Sequence, residues 1–232
     1  MRCSHGIAVA LAATLIAPRV STAQDASRPV AGGGISAPGW MGKIDAREAS
    51  GGAKLEDSKL VTMGSGLHVT TGPAVVYWNP ANTASGNYTV KATFAEREYM
   101  GLNDNPHPYG IVIAGNDMGT DTQSYLYCAA YGNGNFIVRG FGPAPFQMNG
   151  RMGQMHEAVN KAEGKGKPVT QTIAVTVAAE KVECEINGKV VASYPKSEVV
   201  GAGKLKSTDG IWGLRFGHNT DAHVSNLMMT KN

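Results

Sequence analysis

The feature that most constrains the fold is an alternation of period two that starts near Leu67 and recurs to the end of the chain. Leu67/Val69/Thr71, Val75 to Trp78, and Tyr88/Val90/Ala92/Phe94 with Thr89, Lys91 and Thr93 opposite are the first three runs. Tyr109 to Ala114, Tyr125 to Tyr131, Phe136 to Arg139, Gln171 to Val177, Val182 to Ile186, Val190 to Tyr194, Ile211 to Phe216 and His223 to Met229 follow. Successive side chains of a strand point to opposite faces, so each run reads as a strand with one buried face. Asn133-Gly134 and Asn187-Gly188 separate adjacent runs, and Asn and Gly are the residues that take the positive φ of a two-residue hairpin turn. A helix is expected only around Met155 to Glu163, where no breaker intervenes. About eleven strands and at most one short helix imply two packed antiparallel sheets. Composition agrees: 30 of 232 residues are glycine and only 17% are charged, against a usual charged share of roughly 25%.

The first 23 residues are expected to leave before folding. Arg2 and His5 precede an apolar run from Ile7 to Ala17, and Ser21-Thr22-Ala23 places small residues where signal peptidase cuts. The run is far shorter than the ~20 residues that cross a bilayer, and no later stretch is longer, so no membrane span is expected. Cys3 precedes the run and does not serve as a lipidated first residue. Residues 24–38, with Ala31-Gly32-Gly33-Gly34 and two prolines, read as a flexible leader, and 39–232 as a single sandwich domain. Cleavage after Ala23 removes two basic and no acidic residues, which leaves a net charge of about +1. Lys161, Lys165 and Lys167 sit in a Gly-rich turn without stacking aromatics, so nucleic acid is not an expected partner. The expected compartment is the periplasm or the exterior, where disulfides persist. Cys128 and Cys184 both lie on the apolar parity of their strands, and the sequence leaves open whether they pair.

Ser85-Gly86-Asn87-Tyr88-Thr89-Val90, Tyr109-Gly110-Ile111-Val112-Ile113, Tyr125-Leu126-Tyr127, Cys184-Glu185-Ile186-Asn187-Gly188-Lys189-Val190-Val191 and the closing Gly210-Ile211-Trp212-Gly213-Leu214-Arg215-Phe216-Gly217-His218-Asn219 occur in a telling order. From Trp40 to Met229 this order resembles laminin-G-like and 3-keto-disaccharide-hydrolase-like domains of the concanavalin A-like superfamily. The resemblance implies a jelly-roll sandwich and a carbohydrate as ligand or substrate class.

The side chains that could carry such a function fall into four sets. Leu126, Cys128 and Ala130 take the inward parity of their strand and turn Tyr125, Tyr127 and Tyr131 outward, while Arg139 and Arg215 stand opposite Val138 and Leu214. Together with His218 these form the expected ligand-binding set, an open platform on the concave sheet where rings stack on sugar C–H faces and guanidinium groups hold hydroxyls. The structural alternative is cross-strand aromatic pairing. The second set is acidic: Glu183 with Glu185, and Glu96 with Glu98, each lie about 7 Å apart along one strand face, as glycoside hydrolysis by two carboxylates requires. These are the catalytic candidates, although the Glu-x-Asp-x-x-Glu motif of jelly-roll glucanases is absent. Third, His218, Asp221 and His223 bring two imidazoles and a carboxylate to one hairpin end as candidate metal ligands. Finally, calcium could bind the oxygen-rich loops at Asn103-Asp104-Asn105 and at Asn116, Asp117 and Asp121. Met148, Met152, Met155 and His156 carry the soft donors that favour Cu(I), or fill a gap beneath a long loop. No nucleophile elbow, phosphate loop or dinucleotide fingerprint is present. The expected function is therefore non-catalytic recognition of a saccharide or glycosylated surface, with a glycoside hydrolase or lyase as first alternative and a structural or partner-binding domain as second.

Overall fold

A computed structural model describes Met1 and residues 26–232, so the signal reading for 1–23 lies outside the described residues. Among the described residues, sixteen strands, two short α-helices and one 3-10 turn (Leu55–Asp57) alternate with turns. The strands are β1 (Gly34–Ile35), β2 (Met41–Ile44), β3 (Lys59–Met63), β4 (Gly66–Thr70), β5 (Val75–Ala84), β6 (Tyr88–Glu96), β7 (Tyr109–Asn116) and β8 (Ser124–Ala130). They continue with β9 (Asn135–Phe141), β10 (Pro145–Gln147), β11 (Gln154–Met155), β12 (Val169–Val177), β13 (Lys181–Ile186), β14 (Lys189–Pro195), β15 (Gly210–Phe216) and β16 (Asp221–Lys231). The helices are α1 (Ala46–Ser50) and α2 (Lys196–Val199). Two sheets result, in the orders β1-β3-β4-β16-β6-β12-β13-β14 and β10-β9-β8-β7-β15-β5-β2, with β11 paired to β9. All eleven sequence runs are strands.

The core lies between the sheets and takes the inward parity of each. Val75 and Tyr77 of β5, Val90, Ala92 and Phe94 of β6, Ile111 and Ile113 of β7, Leu126 and Cys128 of β8, Ile173 and Val175 of β12, and Leu214 and Phe216 of β15 pack there. Cys128 and Cys184 are joined, with Cα atoms 6.0 Å apart. Because β8 and β13 belong to different sheets, the disulfide ties one layer to the other.

Three expectations differ from the structure. Of the stretch 24–38, the described residues 26–38 are not a free leader. Val30 and Gly34 donate backbone hydrogen bonds to Asp57 and Ser58, β1 pairs in parallel with β3, and Ala37 is buried. The stretch lacks a periodic apolar pattern because it is an edge piece, held by backbone groups rather than by a side-chain face. The window around Met155 to Glu163 is not helical. Val159 packs between the sheets and Ala162 against Tyr99 and Val169, and the Asn160 N–H and C=O bond the Gln171 side chain at 3.0 and 2.7 Å, so anchors on β12 replace the i→i−4 ladder. The Asn133-Gly134 connection joins β8 to β9 as a longer loop in which only Gly134 has positive φ, 94°. At Asn187-Gly188, with φ values of 51° and 80°, the two-residue turn forms as expected.

Candidate functional site

The parity read for Tyr125 and Tyr127 holds, but the open platform does not. Both rings leave the core and join Val76, Trp78, Val112, Ala129 and Ile137 in a second cluster on the outer face of the second sheet, with Tyr131, Phe141, Met118 and Ile211 against it. Tyr125 is 0% and Tyr127 4% exposed, and burial raises both phenols above their ordinary range. Tyr125 packs on Phe141 with ring centroids 4.9 Å apart. Arg215 lies 5.7 Å over both Tyr127 and Phe141, and Arg139 lies 5.3 Å over Phe141. Arg215 also donates from both guanidinium nitrogens to the two Asp45 oxygens at 2.7 and 2.6 Å. Its cross-strand partner is Gly110, where a Cβ would stand 2.0 Å from the Cys128 carbonyl, so glycine there lets β7 and β8 approach closely. The strand register of a wide sheet therefore produces a closed aromatic–arginine cluster, the cross-strand arrangement rather than a water-filled bowl.

His218 does not join that cluster. It is buried against His107, with ring centroids 3.9 Å apart, and its Nδ1 lies 3.3 Å from Glu48 Oε1. Burial alone would raise the Glu48 carboxyl, yet His218, Ser27 and the Ala74 backbone N–H hold it down at about 2. The candidate metal triad is thereby split, because Asp221 opens β16 and faces the other way. Among the described residues no group of three or more His, Cys, Asp or Glu side chains is placed to hold a metal. The calcium loops are likewise drawn apart by lysines. Asp104 pairs with Lys165, Asp117 with Lys206 and Asp121 with Lys43. Glu183 pairs with Lys181 at 2.8 Å, and Glu185, one pairing further along β13, belongs to the same part of the first sheet, away from any cleft. Met152 and Met155 are exposed while Met148 packs on the core.

The residues that do converge come from separate motifs. A cleft of about 620 Å³ at one end of the first sheet is lined by His68, Glu96, Arg97, Glu98, Gly101, Leu102, Gly166, Asn219, Asp221 and His223. Thus Glu96 and Glu98 from the acidic set meet Asp221 and His223 from the metal set. Register explains the meeting: His223 pairs with His68 of β4 on one side and with Ala95 of β6 on the other. The two imidazoles meet edge-on, centroids 4.6 Å apart at 80°. His68 Nε2 is 3.1 Å from each Asp221 oxygen, and the Thr70 hydroxyl donates to Asp221 Oδ2 at 2.6 Å. Burial, then His68 and Arg97, depress His223, with Asp221 opposing.

Glu96 is the buried end of the cleft. It is 5% exposed, at the last residue of β6 on the inward parity. Its Oε1 accepts the Met100 N–H at 3.1 Å, while Oε2 is buried with no hydrogen-bond partner. Burial pushes this carboxyl up to about 7, with Asp221 adding to the rise and the Met100 N–H opposing it. The wall is fixed by paired loops: the Tyr99 N–H donates to the Lys167 C=O at 3.0 Å, and the Tyr99 C=O accepts from the Gly166 N–H at 2.7 Å. Asn219 anchors the corner, accepting from the Arg28 N–H and donating to the Ala26 carbonyl. Sequence reasoning missed His68, Arg97, Leu102 and Asn219. His68 was visible as the outward residue between Leu67 and Val69, but nothing local names its partner strand.

No protein-family model matches the chain, and no curated protein matches it. Solved structures do. One is described as carbohydrate binding module CBM66 from Bacillus subtilis, with a TM-score of 0.55, 8% identity, and coverage of 86% of this chain and 99% of that one. Another, a protein of unknown function with a galectin-like fold from Bacillus subtilis, gives a TM-score of 0.54 at 11% identity over 83% of this chain and 89% of the other. At these identities the likeness is one of fold: the chain is a two-sheet β-sandwich with a galectin-like fold.

Proposed function

We propose that this protein is an exported carbohydrate-binding sandwich that recognises a saccharide, free or on a glycosylated surface, in the His68–Glu96–Asp221–His223 cleft. The observation that carries the reading is the cleft itself. It is open to solvent and lined by seven polar residues and one aliphatic residue besides its two glycines, the composition that matches a polyhydroxylated ligand better than an apolar one. The likeness to a carbohydrate-binding module supports the ligand class, and fold alone does not assign a function. The Cys128–Cys184 bond supports export, since such bonds persist in oxidising compartments. A glycan array probed with the purified protein tests the reading: binding that His68→Ala or Asp221→Ala removes, with the thermal transition kept, supports it. A folded protein that binds no glycan overturns it and favours the partner-binding class.

One observation favours hydrolysis as a second reading. Glu96, near 7, is protonated in part at neutral pH, and Asp221 offers a second carboxylate in the same cleft, which is how acid and base roles divide between two carboxyls. Release of new reducing ends from a bound glycan, abolished by Glu96→Gln, supports catalysis; recovery of the intact glycan leaves binding alone.

A further inference from the structure

The cleft contains more negative than positive side chains, and one carboxyl oxygen among them has no hydrogen-bond partner. Glu96, Glu98 and Asp221 line it against a single cation, Arg97, and no lysine contributes. Asp221 is already engaged by His68 and Thr70. Glu96 Oε2 is not: it is buried and has no partner, on a residue that lines the cleft. An unpaired buried carboxylate oxygen costs free energy that a donor would recover, and a cationic donor recovers most. Neutral hydroxyls suffice for Asn219 and the imidazoles, but they do not balance the charge.

Building on the saccharide reading, we propose that the ligand carries a protonated amine, as an unacetylated amino sugar does, and that its ammonium group donates to Glu96 Oε2 beside Asp221. The groups around Glu96 fit this placement. Asp221 and Glu98 add negative potential, Arg97 is exposed, His68 and His223 line the same cleft, and the buried phenols of Tyr99 and Tyr109 are neutral. An ammonium ion arriving at Oε2 favours the ionised carboxylate, so binding releases a proton from Glu96 near neutral pH.

Titration calorimetry of the purified protein with a β-1,4-linked glucosamine trimer and with its N-acetylated counterpart tests the proposal, with putrescine as an amine lacking a sugar. The free-amine trimer is expected to bind about tenfold more tightly than the acetylated one, the worth of one charge-assisted hydrogen bond. In buffers of different ionisation heat, its binding near pH 7 should release protons. Glu96→Gln, which keeps the Met100 contact, should make the two trimers bind alike and abolish the proton release; Asp221→Asn should narrow the gap. Equal binding of the two trimers by the native protein overturns the amine proposal and leaves the saccharide reading standing. Putrescine binding as tightly as the trimer overturns the saccharide reading, and binding of none overturns both.

Discussion

Glu96 shows how much one position decides. As the last residue of β6 it continues the inward parity of Val90, Ala92 and Phe94, so the alternation places an ionisable group where the pattern asks for an apolar one. The carboxyl is held up at about 7 in the folded chain, against roughly 4.3 for an unperturbed Glu. Its protonated form is therefore favoured by folding. The stability linked to it is fully present below the unfolded value and is lost as pH rises through 7. Measured by urea unfolding, the stability of the native protein relative to Glu96→Gln is expected to fall by about 3 kcal/mol between pH 4.5 and pH 8. A difference that stays flat would show that the carboxyl is not buried. Glu48 has the opposite sign, since His218 and Ser27 hold it at about 2, so its contribution vanishes only as pH falls below 4.5. The acid pair Glu96/Glu98 was visible in the sequence as a spacing. That Glu96 loses its solvent and Glu98 does not was invisible, because it depends on loops 97–103 and 164–168 closing over one of them.

At the scale of single elements the alternation was enough to find every long strand, and turn chemistry enough to find the β13–β14 hairpin. Asn187 does more there than accept a positive φ. Its N–H and Oδ1 engage the Thr172 backbone, and its Nδ2 donates to the Ala158 carbonyl at 2.8 Å and to Gln171 Oε1 at 2.7 Å. Asn187→Gly keeps the turn geometry but loses these side-chain bonds. It should therefore cost about 2–3 kcal/mol in chemical denaturation, although glycine is the better residue by conformation alone. The elements that escaped the sequence are the short ones. β1, β10 and β11 span two or three residues each, too few for any period to be counted, and they exist because a neighbouring strand offers its edge; β2 and β3, of four and five residues, were also not among the runs read from the sequence. The expected helix failed for a tertiary reason: lack of breakers permits a helix, but His156 and Ala162 donate their backbone N–H groups to Gly134 and Gly132, and Asn160 donates its own to Gln171.

For the molecule as a whole, the two layers are joined by hydrophobic burial and by one covalent bond. The Cys128–Cys184 link closes a loop of sequence separation 56, for which chain entropy lost by the unfolded state corresponds to about 4 kcal/mol. Replacing both cysteines with alanine should lower stability by that order while leaving the near-ultraviolet circular dichroism unchanged at low temperature; no change in the unfolding midpoint would mean the bond does not constrain the unfolded chain. Local order alone determined that this protein is all-β, where its strands run and which face of each is apolar, because a period of two is a property of neighbouring residues. Pairing decided the rest. Which strand lies beside which, that the outward tyrosines close on Phe141 and Arg215 instead of facing water, and that His68 meets Glu96 and Asp221 across three strands are all contacts between residues distant along the chain. Backbone hydrogen bonding is blind to side-chain identity, so only the packing of two complete sheets selects that register and, with it, the cleft.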